Sequence, residues 1–197
     1  MSAESGGVGG VPQSVTPAAV AMAGGPPVTI HKFSSLDARV QAVALEAIAS
    51  INKETSTDEG KSTWEGYTAQ IRDRLDNCEN AKDTLFIACV GDQVVGYSAF
   101  YTLKDKVPYP SKFLDDEGQA YCSWTAVDKD FQGKGIATEL KLHIFSPESG
   151  FTAFKGHIKK ANTASLRVMR KFAEKGFNVV EKKDKHQVYY TISKPPG

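Results

Sequence analysis

The sequence is poor in the residues that would staple it or hold a metal. Its three cysteines, Cys78, Cys89 and Cys122, are scattered, odd in number and in no paired spacing, which suits reduced thiols better than a disulfide framework. The four histidines, His31, His143, His157 and His186, lie far apart. They offer no metal-ligand spacing, so no metal is expected. Basic residues number 24 against 23 acidic ones, for a formal net charge of +1, which leaves no large basic face for duplex nucleic acid. No apolar run approaches the ~20 residues of a membrane helix. The N-terminus lacks the basic region and compact apolar stretch of a secretory signal, so a cytoplasmic location is expected. What remains is the composition of an ordinary globular chain: 197 residues, 41% hydrophobic and 24% charged, enough for one domain with a sizeable core.

Residues 1–27 read as a disordered arm ahead of a single domain over 28–197. The arm intersperses Gly6, Gly7, Gly9, Gly10, Gly24 and Gly25 with Pro12, Pro17, Pro26 and Pro27, and it holds no aromatic residue. Such a segment cannot bury enough apolar surface to offset its ordering entropy. From Val28 the texture changes. Residues 28–33 predict a strand. Ser34 with Asp37 makes a capping-box signature, followed by Leu36, Val40, Val43, Ala47, Ile48 and Ile51 at helical spacing. Ser62 with Glu65 opens a second helix carrying Trp64, Tyr67, Ile71 and Leu75. Strands at 84–90 and 93–103 flank a Gly91-Asp92 hairpin turn. A loop over 104–118 leads to a strand at 119–127, and a helix beginning near Gly133 carries Ile136, Leu140 and Ile144. A strand at 151–158 precedes a helix from Asn162 that ends at Gly176, where positive φ is tolerated. Strands at 177–181 and 186–192 close the chain. The order β-α-α-β-β-β-α-β-α-β-β describes an α/β (α+β) fold with a mostly antiparallel sheet flanked by helices, not a doubly wound one.

The segment from Trp124 to Ala137 concentrates the chemistry. A strand ending in Thr125-Ala126-Val127 passes through Asp128-Lys129-Asp130-Phe131 into Gln132-Gly133-Lys134-Gly135-Ile136-Ala137. The first turn of a helix leaves amide N–H groups unpaired beside the positive end of the dipole. Glycines let an anion approach them without meeting a Cβ. This pattern points to a phosphate or pyrophosphate site; the plainer reading is a strand-to-helix turn. A P-loop is excluded because Gly135, not Ser or Thr, follows Lys134. A dinucleotide fingerprint is disfavoured by Thr138 and by the lack of repeated βαβ units.

Gln-x-x-Gly-x-Gly/Ala five residues after a strand-terminal Val resembles the acyl-CoA loop of the GNAT superfamily of N-acetyltransferases. Ala161-Asn162-Thr163-Ala164-Ser165, continuing to Phe172 and ending in Gly176-Phe177, resembles that family's second motif. Its Asn-x-x-Ser form resembles the branch containing ribosomal-protein N-terminal acetyltransferases. The resemblance spans nearly the whole chain beyond the arm. It departs from the family where Phe172-Ala173-Glu174-Lys175 delays the Gly-Phe pair by about one helical turn.

The resemblance implies an enzyme that moves an acetyl group from acetyl-CoA to a primary amine, of a small molecule or a protein N-terminus, by direct attack. It implies no resident metal, no membrane partner and a monomer or homodimer. The main chain of Thr125, Ala126 and Val127 would pair with the pantetheine arm. The amides of Gln132, Gly133, Lys134, Gly135, Ile136 and Ala137 would hold the pyrophosphate, and Asn162 would bind the arm, cap its helix, or both. The family's usual proton donor, a tyrosine seven residues after the Asn, is Met169 here. Ser165 is the nearest replacement, with helix-start capping as its plainer role. Tyr121, Cys122 and Ser123 occupy the strand position that often carries a polar catalytic group. Tyr121 is the catalytic candidate among them, and Cys122 reads as a small core residue. His157, Tyr189 and Tyr190 read as structural. Glu54, Asp58, Glu59 and Glu65, with Asp115, Asp116 and Glu117, offer either attraction for a cationic amine or a solvated loop. The alternative to an enzyme is a catalytically silent acyl-CoA-binding module serving as a sensor or partner subunit, which Met169 and the 104–118 loop make conceivable.

Overall fold

The computed structural model describes residues 19–20, 27–55 and 61–195. One eight-stranded sheet, ordered β1-β2-β3-β4-β5-β6-β8-β7, carries helices on both faces. Its strands are β1 (Ala19–Val20), β2 (Val28–Lys32), β3 (Leu85–Val90), β4 (Gln93–Tyr101), β5 (Gln119–Val127), β6 (Ala153–Lys159), β7 (Asn178–Lys183) and β8 (Gln187–Ser193). The helices are α1 (Ala38–Thr55), α2 (Lys61–Asn77), α3 (Pro108–Ser111), α4 (Ile136–Leu142) and α5 (Thr163–Glu174). Every pairing is antiparallel except β5 with β6. This is the expected mostly antiparallel architecture, with two additions. Ala19–Val20 pairs with β2 inside the stretch read as an arm, and α3 interrupts the expected 104–118 loop; most of residues 1–27 lies outside the described residues.

Alternation along the central strands sorts two cores. Leu85 and Ile87 of β3 join Tyr97 and Ala99 of β4 under α1 and α2, with Ala44, Ile48, Ile51 and Ile71 facing them. Phe86, Ala88, Phe100, Ala120, Cys122 and Phe154 face the other way, onto Ile136, Leu140, Met169 and Phe172 of α4 and α5. Among the described residues no helix is long and apolar enough to cross a membrane.

The helix starts differ from the capping-box expectation. Asp37, not Ser34, caps α1, its Oδ1 accepting from the Val40 amide at 2.9 Å. Ser34 and Ser35 are drawn instead into a 3-10 turn over Phe33–Ser35. The buried side of α1 is Ala44, Ile48, Ile51 and Asn52. Val43 and Ala47 fall one position out of phase with it, and Val40 and Val43 are exposed. Tyr67 of α2 is likewise exposed, because the buried Thr68 turns inward to accept a hydrogen bond from Asn52 Nδ2 at 3.1 Å.

Where α2 meets the loop beyond β4, Arg74 is buried against Asp105. Arg74 Nη2 donates to Asp105 Oδ2 at 3.2 Å and to Thr84 Oγ1 at 2.7 Å, and its guanidinium lies over the Tyr101 ring. Asp105 also accepts from the Thr102 amide at 2.6 Å. This pair fixes the start of the segment that roofs one end of the site.

Candidate active site

The site originates in a fault in the sheet. Opposite β4, Trp124 pairs with Ala99 but Cys122 pairs with Phe100, so Ser123 is an extra residue on β5. Such a bulge bends the strand that carries it. On its other edge β5 pairs with β6 at only three positions, the last being Tyr121 with Lys155. Beyond that point the strands part. The stretch from Cys122 to Val127, including Thr125, Ala126 and Val127, keeps β4 on one side and, among the described residues, has no strand on the other.

At the open end of this fork the chain builds its glycine loop. Gln132 Nε2 donates to the Val127 carbonyl at 3.0 Å, tying the loop to the strand end. Lys134 Nζ donates to the Asp130 carbonyl at 3.0 Å and lies over the Phe131 ring. Gly133 and Gly135 have φ of 77° and 86°, left-handed conformations that side chains with a Cβ resist. A Cβ at either would point into open space. Helix α4 therefore starts at Ile136, two to three residues later than expected, because Gly135 cannot lie within it at this φ. The amides of Gly133, Lys134, Gly135, Ile136 and Ala137 have no acceptor among the described residues. Open glycines, free amides and a nearby ammonium fit a pyrophosphate. The unpaired strand edge fits an extended arm bearing amides.

At the closed end of the fork two groups of polar side chains lie on opposite faces. On the face roofed by the 104–118 segment, Tyr121 Oη and His157 Nδ1 are 2.5 Å apart. Phe113 stacks on Tyr121 at 5.2 Å between centroids, and Tyr109 and Tyr189 stand edge-on and tilted against His157. Burial lowers the pKa of His157, and burial with its phenolic neighbours holds Tyr121 well above the usual phenol. Near neutral pH the imidazole is thus uncharged and the phenol keeps its proton, and the tautomer of His157 sets which of the two donates. Beside them opens a cavity of about 660 Å³, lined by Phe113, Tyr121 and Tyr189 with Lys112, Lys182 and Asp184.

On the α4/α5 face, Lys141 is buried, and its Nζ lies 2.7 Å from Cys122 Sγ and 2.8 Å from Thr125 Oγ1. Thr125 in turn meets Ser98 Oγ at 2.8 Å. The buried Tyr190 hydroxyl neighbours Cys122, whose thiol adds to burial in holding the phenol above its usual pKa. Cys122 does lie in the apolar core, but as a member of this polar chain.

Asn162 is the N-cap of α5, its Oδ1 accepting from the Ser165 amide at 3.0 Å. Met169, seven residues after Asn162, is buried in the α4/α5 core. Ser165 and Tyr121 are not brought together: Tyr121 packs with Tyr101, Leu114 and Phe113, across the sheet from α5. Two of the acidic side chains are in ion pairs. Asp115 pairs with Lys155 at 2.6 Å and Glu54 with Lys129 at 3.9 Å; Asp58 and Glu59 lie outside the described residues. Three further candidate residues do not stand out in the sequence: His157 and Tyr190 read there as structural, and Lys141 carries a single signal. The one signal was Lys141 itself, a lysine three residues before Ile144 and four after Ala137 on an otherwise apolar helix flank.

Residues 45–173 match the family model described as the acetyltransferase (GNAT) family. No curated protein matches the sequence. Many solved structures share its fold. PH1933 from Pyrococcus horikoshii OT3 superposes with a TM-score of 0.61 at 23% identity, covering 86% of this chain and 99% of that one. A diaminobutyrate acetyltransferase from Paenibacillus lautus, in complex with L-2,4-diaminobutyric acid and coenzyme A, gives 0.57 at 15% identity over 86% and 96%. The ribosomal-protein-S18-alanine N-acetyltransferase from Escherichia coli gives 0.53 at 14% identity over 86% and 96%. At these identities the likeness is one of fold.

Proposed function

This chain belongs to the GNAT acetyltransferase family, with acetyl-CoA as acyl donor, and we propose that it acetylates a primary amine, of a small molecule or a protein N-terminus, by direct attack. The observation that carries the reading is the fork. One loop of free amides at its open end and one strand edge without a partner lead to paired polar groups at its closed end. In this reading the amides of residues 133–137 bind the pyrophosphate, that of Gln132 being already donated to the Lys129 carbonyl; the main chain of Thr125, Ala126 and Val127 pairs with the pantetheine arm, and Asn162 offers its side-chain Nδ2 to it while capping α5. The bound donor supplies an activated acetyl group as a thioester.

From Val127 to Cys122 is five residues of strand, about 16 Å at ~3.3 Å per residue. A donor anchored at the loop and laid along β5 thus presents its acetyl group at the closed end. An alkyl ammonium, of pKa ~10.4, must lose a proton before it attacks. With its Nδ1–H donating to Tyr121 Oη, the uncharged His157 keeps the Nε2 lone pair free to take that proton, directly or through water. Tyr121 is then a positioning residue rather than the base. The adjoining cavity, aromatic with Lys112 and Lys182 at its edge, supports an acceptor with an apolar body and an anionic end. It weighs against a polycation, since Asp115 and Glu54 are already paired.

The test is release of free thiol from acetyl-CoA across a panel of amines, amino acids and peptides. Turnover is expected, favouring acceptors that carry a carboxylate and an apolar group. A silent acyl-CoA-binding module is the second reading, favoured by the buried Met169 at the usual donor position; binding without turnover across the panel would establish it.

A further inference from the structure

Lys141 poses a physical problem that the reading above does not use. It is 7% exposed, and burying an ammonium away from water is costly unless it is paired. Among the described residues no carboxylate pairs with it. Its partners among the described residues are Cys122 Sγ at 2.7 Å, Thr125 Oγ1 at 2.8 Å and the face of Phe154 at 6.0 Å. On one side the Tyr190 hydroxyl neighbours Cys122, both reaching the Cβ position of Gly156, and on the other Thr125 Oγ1 meets Ser98 Oγ at 2.8 Å. All of it lies within an apolar core, and structural ion pairing does not account for it.

Tyr190 shows where this chain leads. Its phenol lies flat against Gly156, the first residue of β6 past the last β5–β6 pair. A Cβ at Gly156 would collide with the Tyr190 hydroxyl, and would sit 2.7 Å from its Cζ and 3.1 Å from the Cys122 carbonyl. Only a glycine there leaves room for the ring. The hydroxyl therefore bridges from β6 toward β5 at the apex of the fork, the place where a thioester laid along β5 ends. Met169, at the helix position that would otherwise hold a donor, belongs to the same buried cluster. Burial holds the Tyr190 hydroxyl protonated across the physiological range, so it is a standing hydrogen-bond donor.

We propose that Tyr190 is the group that receives the departing CoA sulfur, donating first a hydrogen bond and then a proton, with Cys122 and Lys141 as the relay that resupplies it. This rests on the acetyl-transfer reading. The acceptor nitrogen forms its bond to the acetyl carbon as the carbon–sulfur bond breaks, and sulfur leaves with the electron pair. Tyr190 passes its proton to that sulfur and takes one from the Cys122 thiol. Cys122 is refilled from the Lys141 ammonium, and Lys141 regains its proton from solvent after the thiol departs. Because the phenol is replenished as it donates, no phenolate accumulates. Lys141 and Cys122 act through Tyr190 and are positioning residues.

Equilibrium binding of CoA and of desulfo-CoA, which lacks the sulfur, tests this apart from turnover. The native protein is expected to bind CoA about tenfold more tightly than desulfo-CoA, the scale of one hydrogen bond to a developing anion. Tyr190→Phe, which keeps the ring, is expected to bind the two about equally. It should also lower kcat roughly 10- to 100-fold, with KM for acetyl-CoA within about twofold. Lys141→Met should reduce the preference in the same direction. Equal binding of the two ligands by the native protein overturns the assignment to Tyr190 and leaves acetyl transfer standing. A preference lost in Ser165→Ala but kept in Tyr190→Phe overturns it in favour of Ser165. Failure of the native protein to bind either ligand overturns acetyl transfer itself.

Discussion

Replacing Gly156 by alanine perturbs the apex of the fork with a single methyl group, and its cost can be worked out from the geometry. The new Cβ would stand 2.7 Å from Tyr190 Cζ and 3.1 Å from the Cys122 carbonyl oxygen. Carbon–carbon contacts are comfortable at ~3.5–4.0 Å, so the ring must retreat by roughly 0.8 Å or more. It has little room, since Tyr190 is buried and stands edge-on to Phe154 at 6.0 Å between centroids. Overpacking of this kind costs about 1–3 kcal/mol. Alanine regains about 0.5–1 kcal/mol over glycine in a strand, which leaves a net loss of roughly 0.5–2 kcal/mol. Urea unfolding of the native protein, Gly156→Ala, Tyr190→Phe and the double variant reads it directly. Phe removes the hydroxyl, the atom nearest the new methyl, so the double variant should be more stable than the sum of the singles by about 0.5 kcal/mol or more. An alanine variant as stable as the native protein, with additive effects, would refute the placement of the phenol over Gly156.

Two further outcomes follow from buried charge elsewhere. Asp105→Asn should cost about 3–5 kcal/mol by urea unfolding, because it leaves the Arg74 guanidinium buried without its counter-charge; a loss under 1 kcal/mol would show that Thr84 and the Tyr101 ring suffice. His31, His143 and His157 all have pKa values lowered by burial from 6.5. The unfolded chain then binds more protons than the folded one, so their contribution to stability is complete above about pH 6.5 and is lost as pH falls through the folded-state values. Tm should accordingly fall between pH 7.5 and pH 5, and a flat or rising Tm over that range would contradict it.

What the sequence made legible was whatever depends on local pattern. The strand at 119–127 has the expected bounds, and Gly176 adopts φ of 85° beyond α5, because alternation and chain reversal are written in neighbouring residues. The loop glycines were equally plain. The bulge at Ser123 was not, although it opens the fork, since it arises from register against β4 rather than from Ser123 itself. Tyr121 and His157 are 36 residues apart and meet only through the parallel β5–β6 ladder. Cys122, Lys141 and Tyr190 come from two strands and a helix that converge at the point where pairing stops. Each had a sound structural reading alone; only their convergence gives them chemistry. On α1, the spacing of Val40, Val43 and Ala47 suggested a stripe that the sheet does not contact, because Asn52 and Ile48 set the helix rotation through Thr68 and Tyr97.

The central claim is that the loop over residues 132–137 holds the pyrophosphate of acetyl-CoA, and the most direct measurement is equilibrium binding of acetyl-CoA to the native protein and to Gly135→Val. Gly135 sits at φ of 86° with open space where a Cβ would project. A β-branched residue there strains the backbone by about 1–3 kcal/mol and lays a side chain across the free amides. The account predicts clear binding to the native protein and loss of at least ~100-fold in affinity for a variant that still unfolds cooperatively. Undiminished affinity in Gly135→Val would contradict it.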